Sequence, residues 1–108
     1  MITVSIERNQ SNDIVSFTMS GHADSGPHGH DLVCAGASAV SFGSVNAIAA
    51  LCGVELDIDI ENEGGFLRCL VPSELDPRTF EKVQLLLEGM RVALQSMAEE
   101  YSDYIEIK

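Results

Sequence analysis

The chain has 108 residues, of which 45% are hydrophobic, and this predicts one globular domain over residues 1–108. Its 17 acidic and 6 basic residues give a net charge of −11, which disfavours nucleic-acid binding and permits a basic protein partner; plain solubility is the alternative explanation of this charge. The three cysteines are odd in number and show no close pairing, as is typical of reduced thiols in the cytoplasm, and the N-terminal segment MITVSIERN lacks the basic region of a signal peptide.

Two alternating segments on either side of the polar residues 8–13 predict a β-hairpin. The apolar positions are Ile2, Val4 and Ile6 in the first strand and Val15, Phe17 and Met19 in the second. The second strand should end near Gly21. A loop should follow over residues 22–30, because Gly26, Pro27 and Gly29 interrupt regular structure.

A long helix should begin after Asp31, which is a favourable N-cap, and continue to about Leu51, with Gly53 placed to end it. Residues 32–54 carry no charge and are numerous enough to span a membrane. The segment nevertheless contains serines, an asparagine and glycines, and its flanks are acidic rather than basic. We therefore expect a buried helix in a soluble domain and no membrane partner.

The second half of the chain repeats the pattern of two strands and a helix. Apolar residues 54, 56, 58 and 60 alternate with acidic ones, which predicts a strand with one dry face and one wet face, and residues 66–71 predict its partner. Asp76 and Pro77 are typical of a helix start, and apolar residues at alternating spacings of three and four follow up to Tyr101. With a short last strand near Ile105, the order is ββαββαβ, an α+β two-layer sandwich with a mainly antiparallel sheet and two helices.

The candidate functional residues lie between the second strand and the first helix, in the segment GHADSGPHGHDLVCAGAS. Cys34 falls in the first turn of the helix, where free amides and the helix dipole favour a thiolate, and His22 could exchange its proton. His22, Asp24, His28, His30 and Asp31 could instead join Cys34 around zinc. The segment could also be a polar loop that leads into a buried helix. The residue types alone leave all three interpretations open.

This segment resembles the signature of the bacterial ribosomal-processing cysteine protease family, the Prp family. The matching residues are Gly21, His22, Ala23, Gly29, Asp31, Val33, Cys34, Ala35 and Ser38. The resemblance implies that His22 and Cys34 form the catalytic dyad, and that no metal and no cofactor take part. Because the family pattern does not fix His28 and His30, it also argues against the zinc interpretation.

The resemblance further implies the substrate and the assembly. Members of the family are expected to remove the N-terminal extension of the large-subunit ribosomal protein twenty-seven precursor, after bulky apolar residues, and to be homodimers. Gly29, Asp31 and Ser38 are expected to support the site or the substrate loop. We expect loop 22–30 to close over bound substrate. The alternatives to a protease are a non-catalytic ribosome-assembly module that binds a basic ribosomal protein, or a zinc-binding domain.

Overall fold

In the computed structural model of the chain, residues 1–22, 31–61 and 65–108 are described. The elements follow the order ββαββαβ, which confirms the predicted α+β fold. They are β1 (Ile2–Arg8), β2 (Ile14–Ser20), α1 (Leu32–Cys52), β3 (Asp57–Ile60), β4 (Phe66–Leu70), α2 (Pro77–Glu100) and β5 (Ile105–Ile107). The two helices form one layer and the sheet forms the other, with a single core of apolar side chains between them.

The five strands form one sheet in the order β3-β4-β2-β1-β5. Three of the four neighbouring pairs are antiparallel, and only β5 runs parallel to its neighbour β1. Strand β2 therefore lies at the centre of the sheet, and its last residues pair with the first residues of β4, with Ser20 opposite Phe66. This pairing brings the residue after β2, Gly21, beside the residue before β4, Gly65.

The start of β2 departs from simple alternation. The register of β1 and β2 shifts between Glu7 and Arg8, so that Arg8 pairs with Ile14 and Val15 is the extra residue of a β-bulge. As a result Ile14 is fully buried and Val15 is 36% exposed. The prediction that Val15 shares the buried face of Phe17 was therefore wrong, because periodicity alone cannot detect an inserted residue.

Helix α1 begins and ends where the sequence predicts. The Asp31 side chain accepts a hydrogen bond from the Cys34 amide at 3.0 Å, and Gly53 ends the helix in the left-handed conformation with a φ of 66°. By length and composition α1 is apolar enough to cross a membrane. In the fold, one stripe of its small and apolar residues is buried: Val33, Ala37, Ser41, Val45 and Ile48. Gly36 allows close approach to α2, since a Cβ there would lie 3.1 Å from the terminal carbon of Met97.

Helix α2 is capped by Asp76, which accepts hydrogen bonds from the amide and the hydroxyl of Thr79. Its fully buried residues are Val83, Leu87, Met90 and Leu94, at the predicted spacing of four, three and four. An ion pair connects the helix to β1, because the Arg8 guanidinium donates to both carboxylate oxygens of Glu88 at 2.7 and 2.8 Å. The hydrogen bonds from Arg8 lower the pKa of Glu88 to about 2.

Strand β3 differs from its prediction in an informative way. It spans only Asp57–Ile60 and lies at an edge of the sheet. The expected dry face is buried only before the strand begins, at Val54 and Leu56, whereas Ile58 is 40% exposed and Ile60 is 49% exposed. The prediction of a dry face along the whole segment was therefore wrong for these two isoleucines.

Candidate active site

Helix α1 presents Cys34 at its first turn, at the third position after the Asp31 cap. The side chain is half-buried and packs against the edge of the apolar core. Ser38 and Phe42 follow at intervals of four residues, so that all three side chains lie along one face of the helix. The helix therefore places a thiol, a hydroxyl and an aromatic ring in a row over the sheet.

The amides around Cys34 are partly committed to the helix cap. The Cys34 amide donates to the Asp31 carboxylate, and the Ala35 amide donates to the Asp31 carbonyl at 3.0 Å. The free amides of the first turn of a helix can bind the oxyanion of an acyl-transfer reaction. In the structure the capping bond already uses the Cys34 amide, which leaves those of Leu32 and Val33 as the first-turn candidates.

Two glycines determine where His22 lies. Gly21 follows β2 with a φ of 89°, and its amide donates to the Gly65 carbonyl at 2.8 Å. Gly65 has a φ of 78°, and a Cβ on it would lie only 2.7 Å from Nε2 of His22. The exposed imidazole thus rests directly on the Gly65 backbone, and a side chain at position 65 would displace it.

His22, Cys34 and Ser38 line one cavity of about 300 Å³ at the end of the sheet where β2 stops and β4 starts. The remaining side chains that line it are apolar: Ile2, Met19, Phe42, Ile60, Phe66 and Leu67. A thiol, an imidazole and a hydroxyl therefore stand at the rim of a hydrophobic pocket. This arrangement suits the capture of a bulky apolar side chain beside a thiol nucleophile.

The structure thus brings three of the predicted site residues together and gives Asp31 a place as the helix cap beside them. Gly29, Asp24, His28 and His30 lie outside the described residues, as does all of loop 22–30 except His22, so the closure predicted for that loop also lies outside them. Within residues 1–22, 31–61 and 65–108, no group of three or more His, Cys, Asp or Glu side chains could hold a metal ion.

Sequence reasoning missed Gly65 and the apolar wall of the cavity. The contact of Gly65 with His22 joins positions 43 residues apart, which no local pattern reveals. For Phe42 a signal was available, since it continues the four-residue spacing of Cys34 and Ser38.

The other two cysteines have different surroundings from Cys34. Cys69 on β4 is 1% exposed, and its burial raises the pKa of the thiol to about 11. Cys52 lies half-buried in the last turn of α1, and most of the length of the helix separates it from Cys34. Cys34 is therefore the one cysteine that lines the cavity with an imidazole.

A thiol and an imidazole that share an apolar cavity at a helix N-terminus are typical of the cysteine hydrolases. The comparison with known families agrees with this class. The model of the family described as "Cysteine protease Prp" matches residues 1–106, and the chain belongs to that family. It is a cysteine protease.

Two relatives show how much of the chain the similarity covers. The ribosomal processing cysteine protease Prp of Bacillus subtilis (strain 168) is 45% identical over 107 residues, which are 99% of this chain and 96% of the relative. The protease of the same name from Staphylococcus aureus (strain Mu50 / ATCC 700699) is 44% identical over 107 residues, which cover 99% of this chain and 97% of the relative.

Solved structures are similar over the same range. A crystal structure of the essential ribosomal processing protease Prp from S. aureus, in complex with a covalently linked product peptide, superposes with a TM-score of 0.91 at 42% identity. The match covers 100% of this chain and 98% of that one. A second S. aureus structure, in complex with a substrate peptide, gives a TM-score of 0.85 at 42% identity over the same shares of both chains.

Proposed function

We propose that this protease removes the N-terminal extension of the large-subunit ribosomal protein twenty-seven precursor, with Cys34 as nucleophile and His22 as general base and acid. The observation that carries the proposal is the shared cavity, in which this thiol and this imidazole stand at the rim of an apolar pocket. The ribosomal processing named for the B. subtilis and S. aureus relatives supports the substrate class.

The dyad performs the reaction in two halves. A ring nitrogen of His22 accepts the thiol proton, and the Cys34 sulfur attacks the scissile carbonyl carbon to form a C–S bond and an oxyanion. As the oxyanion collapses, the C–N bond breaks and His22 donates its proton to the leaving amine. Water then gives a proton to His22 and its oxygen attacks the thioester carbon. The C–S bond breaks, the acid product leaves, and His22 returns the proton to the Cys34 sulfur. The covalently linked product peptide of the S. aureus protease is consistent with such an intermediate.

The cavity and the charge of the chain support the proposed substrate. The walls formed by Met19, Phe42 and Phe66 suit the bulky apolar residue expected just before the cut. Ribosomal proteins are basic, and a net charge of −11 attracts a basic chain over long distances. Apolar contact therefore selects the residue at the cut, while charge accelerates the encounter.

The supporting residues have distinct proposed roles. Asp31 holds the first turn of α1, and with it the backbone of Cys34. Ser38 offers a hydroxyl one turn further along the cavity wall. Gly29 is proposed to allow the substrate backbone to approach the loop. Asp31 thus positions Cys34, and Ser38 adds a polar group to the cavity wall. Bonds form and break only at Cys34 and His22.

Incubation with the precursor protein, followed by intact-mass measurement, tests the proposal. The wild-type protein should release the extension, and Cys34→Ala should bind the precursor without cutting it. His22→Ala should lower turnover by ~10²-fold or more, because proton transfer is lost. The matched control is Cys52→Ala, which removes a half-buried thiol away from the cavity and should keep wild-type turnover. Cleavage by Cys34→Ala, or an unchanged precursor mass with wild-type protein, would refute the proposal.

We also propose that two copies associate through the outer face of the helix layer, in the cytoplasm. Between α1 and α2 this face carries a groove of about 360 Å³, with glycines 43 and 89 in its lining. Leu85, which lines the groove, is 73% exposed, and Val92, next to the lining residue Ala93, is 52% exposed. Because each copy carries a charge of −11, an uncharged face is where the two repel least. Light scattering should give a dimer for the wild-type protein and a monomer for Leu85→Glu; a dimer for both would refute this interface.

A further inference from the structure

The edge of the sheet next to the active site carries an apolar face that nothing in the described part of the chain covers. Strand β3 pairs with β4 on one side only. Ile58 is 40% exposed and Ile60 is 49% exposed, although both lie opposite buried residues of β4, Cys69 and Leu67. Exposed apolar edge strands are rare in soluble proteins, because they invite pairing with another chain.

The register of the sheet shows which backbone groups of β3 point outward. Gly21 donates to the Gly65 carbonyl and Val71 donates to the Val15 carbonyl, so residues 65, 67, 69 and 71 direct their backbone groups towards β2. The alternate residues of β4, Arg68 and Leu70, therefore direct theirs towards β3. Their partners there are Asp59 and Asp57, so the N–H and C=O groups of Ile58 and Ile60 face away from the sheet.

This edge is continuous with the active site. Ile60 lines the cavity that also holds Cys34 and His22, and Ile58 lies two residues further along the same face of the strand. A chain whose reacting bond lies at Cys34 could therefore continue along β3 without leaving the protein surface. Its backbone would find a row of donors and acceptors at the spacing of a β-ladder.

We propose that the peptide substrate binds as a sixth strand on the outer edge of β3, and this rests on the proposed peptidase function. Substrate residues that pair with Ile58 and Ile60 turn their side chains towards the α1 side, where those isoleucines and Phe42 are exposed. The residues between them face the side of Asp57 and Asp59. The site thus prefers apolar residues at alternate positions and basic or polar residues between them.

A backbone scan of the substrate tests the pairing. Single N-methyl groups are placed at successive positions on both sides of the cut in a synthetic precursor peptide, and kcat/KM is measured for each. We expect losses of about tenfold or more at every second residue on one side of the cut, where the N–H donates to β3, and small changes at the residues between. Losses without this period of two would overturn the proposal.

Two variants of the enzyme give an independent measurement. Ile58→Pro removes the outward N–H at a position where an edge strand tolerates proline, and Ile58→Ala removes the side chain but keeps that N–H. We expect Ile58→Pro to lower kcat/KM about fivefold below Ile58→Ala, at similar unfolding temperatures. Equal kcat/KM values for the two variants would overturn the proposal.

The unmodified peptide separates this inference from the proposed function. If wild-type protein cuts it and Cys34→Ala does not, the proposed peptidase function is supported whatever the scan shows. If it is not cut at all, the proposed function fails, and the inference fails with it. The scan and the two Ile58 variants then decide the pairing on β3 alone.

Discussion

Gly65→Ala should show whether the position of the His22 ring affects kcat independently of the stability of the fold. The new Cβ would lie 2.7 Å from Nε2 of His22, whereas ordinary contact begins near 3.4 Å, so the ring must move by about 0.7 Å. Misplacement of a reacting group by about 1 Å can cost ~10²-fold in rate. We therefore expect kcat to fall by about 10- to 100-fold. An alanine at the φ of 78° also costs about 1–2 kcal/mol of stability.

The control for backbone strain is Gly53→Ala. Gly53 also has a positive φ, 66°, but no heavy atom lies within 4 Å of a Cβ built there. Both substitutions should lower the unfolding temperature, by about 4–8 °C for each kcal/mol. Only Gly65→Ala should lower kcat, measured at a temperature where both variants remain folded.

The comparison has a clear refuting result. If Gly65→Ala keeps wild-type kcat while it loses as much stability as Gly53→Ala, the His22 ring tolerates displacement and is not the proton carrier. If both variants lose kcat equally, the loss follows from stability, and the contact between Gly65 and His22 does not position the base.

Three further predictions concern a buried thiol, the two helix caps and an ion pair. Cys69, whose pKa burial raises to about 11, should react with iodoacetamide at pH 8 more slowly than the other two cysteines, as peptide mapping would show. Asp31→Ala and Asp76→Ala both remove a helix cap and should lower the unfolding temperature similarly, but only the former should lower kcat. Because Glu88 has a folded pKa of about 2 against an ordinary 4.5, the pair with Arg8 stabilises the fold above pH 4.5 and is lost towards pH 2. Glu88→Gln should therefore destabilise the protein at pH 7 and much less near pH 2, as thermal unfolding would show.

The sequence was sufficient for the features that depend on neighbouring residues. Helix α1 begins after Asp31 and ends before Gly53, as predicted. Such caps can be read from the sequence because the first depends on one side chain and the second on one backbone conformation. The stripe of α2 is buried at its centre, from Val83 to Leu94, because a spacing of three and four places residues on one helix face. Tyr101, the last residue of the predicted stripe, is the C-cap of α2 and is 46% exposed.

The sequence was insufficient where distant segments meet. The bulge at Val15 follows from how β1 pairs with β2, and the contact of Gly65 with His22 follows from how β2 pairs with β4. The exposure of Ile58 and Ile60 depends on the strand order, which places β3 at an edge. An alternating pattern shows that a strand has an apolar face, but it does not show what covers that face.

The hydrogen bond between Gly21 and Gly65 connects two features of the molecule that look separate. It fixes the register of β2 and β4, and that register places the Gly65 backbone beneath the His22 ring. Through the alternation of β4, the same register decides that Ile58 and Ile60, rather than Asp57 and Asp59, present their backbone groups at the open edge. A shift by one residue would move the His22 ring and reverse the faces of the edge together. The position of the His22 ring and the backbone groups that β3 presents at the open edge are therefore set by one pairing.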